Sequence, residues 1–481
     1  MKIFIDNGKG GCVECNTEFF NGFKWKKICD YDINDRILQY NADGTAELVI
    51  PEKFIVNRCE NLNLYQNTYL DFCVSDDHEC YYITSKNNLY HKPFYKIKEN
   101  FNKNENGFSG KFITAFNYKG GKGLSLTNEE IELMLAIIAG GHIVNKNTRR
   151  TIINLKKDRK KNQLRNILIR GNFKYREYEN ENIPGYTRFT VWAPRIEKIF
   201  SKDWYSCTKE QLELIGKNVL FWDGNCKNQF YTTSKENADF IQFVFSAIGK
   251  RASIIVNNRE DKKNIEYTVC VSDKILHLMN KDKRNSINYP IQNYKTTDGK
   301  EYCFTADSGM WIMRRNNKIS ITGNCGKTSF EKMVVEIAAA HNQKIAVLST
   351  IDYVKDIAKS IGWDGTKTLE NRRMLSDLKD LLTRWNDSPH QSVCNKIKEL
   401  NDVDAVFIDS REPTDIQRFI EEYQAMAVLV QRGKEVVTYG NHADDCVDDF
   451  DYDICVDNSR GLNELFFEAQ IFYECFIRGE E

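Results

Sequence analysis

The chain has 481 residues with 68 basic and 68 acidic side chains, so its formal net charge is zero. A hydrophobic content of 41% supports packed cores and excludes wholesale disorder, and the length fits about two to four domains. No run approaches the roughly 18 apolar residues of a membrane helix, so no membrane partner is expected, and fifteen cysteines without an apolar leader fit reduced thiols in a cytoplasm.

Met1-Lys-Ile-Phe-Ile5 reads as a short apolar strand, and DNGKGG follows it. Residues 12–125 are rich in aromatic and β-branched side chains with turns such as Asn41-Ala-Asp-Gly44, the pattern of an all-β unit. Residues 126–265 mix helix-like stretches, LTNEEIELMLAII among them, with strands, and carry 25 basic against 16 acidic side chains. Residues 266–324 return to strands: EYTVCVS, EYCFTAD, MWIMRR and KISIT. From 325 onward apolar strands alternate with amphipathic helices, which predicts a parallel sheet with crossover helices. This last block carries 18 basic and 30 acidic side chains, so the zero net charge is a cancellation. A block with nine excess positive charges suits a nucleic acid, or equally a solvated basic face.

The α/β block starts without a strand. Cys325-Gly326-Lys327-Thr328 is the second half of a phosphate loop, and its first half, Gly8-Lys9-Gly10-Gly11, stands behind the strand at the N-terminus. Joining Gly11 to Cys325 restores G-x-x-x-x-G-K-T. In such a loop the glycines let backbone N–H groups wrap phosphates, Lys327 adds charge and the Thr328 hydroxyl can ligate Mg²⁺.

Chemistry for that join is present at both ends. Cys12 can attack the Gly11 carbonyl, turning an amide into a thioester, and Cys325 can then take over the acyl group. The Asn324 side chain can close on its own carbonyl, releasing residues 12–324, and an S-to-N shift leaves a normal Gly11–Cys325 peptide. The sequence draws on no cofactor for this.

At these residues the chain resembles inteins. CVECNTEFFNGFKWKKICDYDINDRILQYNADGTAELVIP is similar to their first motif, and DGKEYCFTADSGMWIMRRNNKISITGN to their last two. The resemblance covers 12–324 and implies a Hint fold, an all-β horseshoe. The family's T-x-x-H motif is matched by Thr84 with Asn87 in the histidine position, His91 being a nearby substitute expected at the surface. The penultimate histidine is Gly323 here, and a late aspartate is Cys303.

Two stretches in the basic block, Leu133 to Ile143 and Glu213 to Gly224, are similar to the paired helices of LAGLIDADG homing endonucleases. The resemblance implies an α/β DNA-binding domain at 126–265 with a metal-holding carboxylate ending each helix. Asp223 fills the second position and Gly140 leaves the first empty. Double-stranded DNA is therefore an expected partner, cleavage is not expected, and Mg²⁺ would serve any residual activity. The run KKDRKKNQLR suits phosphate contacts.

The expected units are 1–11, 12–125, 126–265, 266–324 and 325–481. Excision would leave a 168-residue α/β host. Its stretches STIDYVKDIAKSIGWDGTKT, RRMLSDLKDLLTRWND, FIDSREPTDIQRF and DYDICVDN resemble phage P-loop kinases acting on deoxynucleoside monophosphates, which implies ATP, Mg²⁺, nucleotide substrates and a bacterial cytoplasm. Arg372, Arg373, Arg411 and Arg432 are candidates to clamp phosphate, and Asp409 to hold the Mg²⁺ shell. Another metabolite kinase or NTPase as host, a middle domain that is the main function, and an inert fusion remain open.

Overall fold

The apolar residues that open the chain find their partners near its far end. In the computed structural model, Lys2–Asn7 is the middle strand of a five-stranded parallel sheet, between Ala405–Asp409 and Met426–Gln431. Ile345–Ser349 and Ile454–Asp457 form the edges. The structure describes residues 1–7, 12–51, 53–76, 78–85, 88–180, 183–258, 264–280, 289–306, 308–323, 327–363, 369–410, 412–431, 450–457 and 462–479. Gly8, Gly10, Gly11, Asn87, Asn324, Cys325, Gly326, Arg411 and Arg432 lie outside these, as do the side chains of Lys327, Thr328, Arg372 and Arg373.

A strand in mid-sheet must be apolar on both faces, and Ile3, Phe4 and Ile5 of Lys2–Asn7 are buried. Phe4 packs with Phe330, Phe407 and Phe472 on one side. Ile3 and Ile5 pack with Val393, Ile408 and Phe419 on the other. Helices Lys327–Ala340 and Leu462–Phe472 cover the first face, Ser388–Glu399 and Pro413–Tyr423 the second. Counting Lys2–Asn7 as strand one of the unit, the spatial order is 2-3-1-4-5.

The insert builds mixed sheets. Its largest runs through Thr45–Val49, Ile37–Tyr40, Met310–Arg315, Lys318–Gly323, Glu79–Ile83, Gly107–Ile113 and Leu276–Asn280, so strands from both ends of the insert interleave. Smaller sheets pair Lys53–Arg58 with Lys300–Thr305 and Asn61–Gln66 with Asp71–Val74. One helix, Phe94–Lys103, interrupts the expected all-β stretch; Phe94, Ile97 and Phe101, three and four positions apart, put one apolar face into the core.

Among the described residues the middle unit contains four α-helices, of which Asn128–Gly140 and Lys209–Asp223 are each opened by a capping box, Thr127 with Glu130 and Thr208 with Gln211. A four-stranded sheet follows the first helix and a three-stranded one the second. Glu266–Ser272 belongs to the latter, paired with Gln229–Thr232 and Arg251–Asn257. The middle unit thus runs past the expected boundary at 265, because period-2 patterning shows that a segment is a strand without naming its sheet.

Candidate functional site

Cys12 sits at the start of an extended segment held on two sides. Val13 exchanges backbone hydrogen bonds with Tyr302 at 2.7 and 2.8 Å, and the Glu14 N–H donates to the Cys73 carbonyl at 3.0 Å. The N–H of Cys12, the nitrogen of the Gly11–Cys12 peptide, donates to Ser75 Oγ at 2.9 Å. In return the Ser75 N–H donates to the Cys12 carbonyl at 3.0 Å. Asn57 Nδ2 points at the Cys12 sulfur at 3.6 Å and donates to Glu301 Oε1 at 3.1 Å.

The thiol is buried, and its surroundings hold it protonated. A hydrogen bond with Cys303, burial, and the nearby Glu301 carboxylate together push the Cys12 thiol well above its usual range. Cys303 therefore lies beside Cys12. Arg315 braces the floor of the site: its Nη1 lies 2.6 Å from Asp71 Oδ1 and its Nη2 3.4 Å from Glu14 Oε2, all three residues being buried. Buried charges in such a set require one another, since removing one leaves the others uncompensated.

The other end of the insert reaches the same segment. His78 Nε2 is hydrogen-bonded to the Thr322 hydroxyl, both residues being buried. Gly323 pairs with Met310 on one side and Glu79 on the other. A Cβ at 323 would stand 2.3 Å from the Tyr81 ring and 2.4 Å from the Gly309 carbonyl oxygen. A histidine therefore has no room there; the missing penultimate histidine is excluded by packing. Behind Glu79, His91 Nδ1 lies 3.0 Å from Glu79 Oε2 and neither side chain is exposed. The expectation of a surface histidine at 91 is corrected: alternation along Leu89–Pro93 turns it inward.

Ser75 to Glu79 thus touches Cys12 through its first residue and Thr322 and Gly323 through its last two. Thr84 follows the strand Glu79–Ile83 and is partly exposed. The hydroxyl on the Cys12 backbone belongs to Ser75. Sequence reading passed over Ser75, His78, Asn57, Glu79 and Glu301. The spacing Ser75-Asp76-Asp77-His78, a hydroxyl residue three before a histidine, was the available signal for the first two.

In the parallel sheet, Asp409 ends a strand next to Lys2–Asn7 and pairs in register with Asp6 and Ser349. The chain crosses from strand three to strand four over strand one, so the break between Asn7 and Lys327 falls at a topological switch point on the carboxyl edge. Ligands of open α/β sheets bind in that position.

In the middle unit the two matched helices lie side by side and end close together. A side chain at Gly140 would meet nothing within 4 Å. Lys198 Nζ donates to the carbonyls of Ile137 at 2.9 Å, Ile138 at 3.0 Å and Gly141 at 2.7 Å. Lys160 Nζ donates to the Trp222 carbonyl at the end of the second helix. Burial raises the Asp223 carboxyl, and Lys160 and Lys198 pull it back.

No family model matches the chain. The ribonucleoside-diphosphate reductase subunit beta of Aquifex aeolicus (strain VF5) is 26% identical over 179 residues, 34% of this chain and 24% of that protein. The chain thus spans about a quarter of the length of the curated relative it matches. Among solved structures, the AceL NrdHF class 3 split intein, a splice-inactive variant, covers 65% of this chain and 97% of its own at 8% identity and a TM-score of 0.25. The structure of I-DmoI in complex with DNA and Mn covers 30% of this chain and 89% of its own at 14% identity and a TM-score of 0.23.

Proposed function

We propose that residues 12–324 are a self-splicing intein interrupting a nucleotide-binding α/β domain, and that residues 1–11 and 325–481 become one enzyme after excision. The observation that carries this reading is the sheet pairing of Lys2–Asn7 between Ala405–Asp409 and Met426–Gln431. The pieces flanking the insert are one folding unit, so cutting the insert out without rejoining them would leave the sheet's middle strand severed from its chain.

In the first step the Cys12 sulfur attacks the Gly11 carbonyl. Glu301, facing the thiol, is the nearest base for its proton, directly or through Cys303. The departing Cys12 nitrogen needs a proton, and the Ser75 hydroxyl stands 2.9 Å from it. His78, three residues on, supplies the ring of the hydroxyl-x-x-His pattern; this assignment replaces Thr84 and Asn87. Cys325 then takes the acyl group and Asn324 cyclises, with the Thr322–Gly323 strand end held by His78 and Glu79. For the rejoined host, the G-x-x-x-x-G-K-T loop at the switch point of a 2-3-1-4-5 sheet supports a nucleoside triphosphate site with Lys327 and Thr328 on the phosphates and Mg²⁺, and Asp409 on the neighbouring strand end. The arginines and the kinase-like stretches favour transfer of phosphate to a nucleoside monophosphate.

Expression of the chain and mass spectrometry of its products test the reading. Ligation predicts species of 313 and 168 residues, the latter containing Gly11 joined to Cys325. A stable full-length chain would sink it, and two separate host fragments would reduce it to cleavage alone. A second reading, favoured by the excess positive charge of 126–265 and its paired helices, makes the middle unit a double-stranded DNA binder.

A further inference from the structure

The free carbonyls at a helix C-terminus carry partial negative charge and require a donor or a cation. In the middle unit two such ends lie together, and each is met by a lysine. An ammonium has three donors, and Lys198 spends all three on the last turn of Asn128–Gly140 and the residue after it. Lys160 is bound to Trp222 O at the end of Lys209–Asp223. The carboxylate that the resemblance implies on the first helix is absent at Gly140, where a Cβ would meet nothing within 4 Å. One carboxylate against two ammonium groups is a donor set that repels a divalent ion, because each Mg²⁺ site needs anionic oxygen in excess of nearby positive charge.

We infer that Lys198 and Lys160 are built-in cations standing where this unit would otherwise hold divalent metal, so that it engages double-stranded DNA without metal and does not cut it. The DNA half of the inference rests on the second reading above; the cation half rests on the lysine geometry alone. Lys198 closes the first helix end permanently, while Lys160, with donors to spare, remains able to meet a backbone phosphate.

Two measurements on the full chain, blocked by Cys12→Ala and Asn324→Ala, test the two halves separately. Mn²⁺ binding, followed by paramagnetic resonance, is expected to be identical in the blocked chain and in its Asp223→Asn derivative. The derivative carrying Gly140→Asp and Lys198→Met together is expected to gain one site, and Gly140→Asp with Lys198→Arg none. Loss of a Mn²⁺ site in Asp223→Asn would overturn the cation assignment, as would failure of the Gly140→Asp, Lys198→Met chain, folded by circular dichroism, to bind Mn²⁺. Fluorescence anisotropy with a duplex encoding the joined Gly11–Cys325 segment is expected to give the same affinity in Mg²⁺ and in EDTA, lowered about threefold to tenfold in Lys160→Met. An affinity raised tenfold by Mg²⁺, or cleavage of the duplex, would overturn metal independence. Absence of duplex binding in both buffers would overturn the DNA reading, and the Mn²⁺ titration would still decide the cation assignment.

Discussion

The surroundings of Cys12 are buried, the paired helix ends of the middle unit reach the surface at Gly140 and Lys198, and the two differ in how their polar groups are met. Around Cys12 the named polar groups are paired: Ser75 on its backbone, Asn57 and Glu301 at its sulfur, Arg315 between Asp71 and Glu14. At the helix ends the carboxylate of Asp223 stands with two lysines that meet the terminal carbonyls. The difference follows from what each must do for the chain that carries it. Under the proposed function, an insert that failed to splice would leave its host without a phosphate loop, whereas one that failed to cut DNA would leave the host intact. Two lysines satisfy the helix ends structurally, with Gly140 ending the first of them.

The comparison can be broken most severely at Cys12. Cys12→Ala should abolish both excision and ligation, read as an unchanged full-length mass, whereas Asp223→Asn should leave both products in normal yield. Next, Asp71→Ala leaves Arg315 with Glu14 alone in the interior and should cost about 3 kcal/mol of stability, measured by urea denaturation of the blocked chain. Third, His78→Ala should slow thiol-induced cleavage at Gly11–Cys12 by roughly a hundredfold, while Thr84→Ala changes it less than about twofold; equal effects would return the role to Thr84. Fourth, Gly323→Ala forces a methyl against Tyr81 and the Gly309 carbonyl and should cost about 2 kcal/mol, with release at Asn324 impaired before cleavage at Cys12.

The smallest effect concerns pH. The folded state holds the Cys12 proton more tightly than the unfolded chain does. Its contribution to stability is therefore complete below the ordinary thiol value near 9 and is lost as pH rises through the raised folded value. Glu301→Gln removes one of the groups that raise it. The alkaline loss of stability in that variant should narrow, and thiol-induced cleavage should reach its plateau at lower pH. A cleavage profile in Glu301→Gln that overlays the parent would remove Glu301 from the first step.

Much of this architecture was readable in the residues. The strands and helices after 325 fall where alternating apolar periods put them, because burial on both faces of a parallel sheet leaves a continuous apolar run such as AVFID. The junction cysteines were inferred from the phosphate loop that their join would complete, most of which lies outside the described residues. The helpers were not, since each depends on which strands become neighbours: Asn57 and Glu301 meet Cys12 only because Lys53–Arg58 pairs with Lys300–Thr305. His91 was misread as exposed because its buried partner Glu79 lies on the adjoining strand. Asp223 was named from motif spacing, but Lys160 and Lys198, 63 and 25 residues before it, carry no local signal that they meet the helix ends.

The position of Lys2–Asn7 at the centre of the host sheet sets an order of assembly during synthesis. That strand leaves the ribosome some 400 residues before its partner Ala405–Asp409, a wait of roughly 20 to 80 s at ordinary elongation rates. Left as an open coil, the intervening chain would be a long loop to close. The insert is complete well before Ala405 appears, and when folded it ties both its ends to the five residues from Ser75 to Glu79. It can therefore hand the waiting strand and the emerging Lys327–Ala340 helix to each other already side by side, and the host begins its sheet with the loop closed.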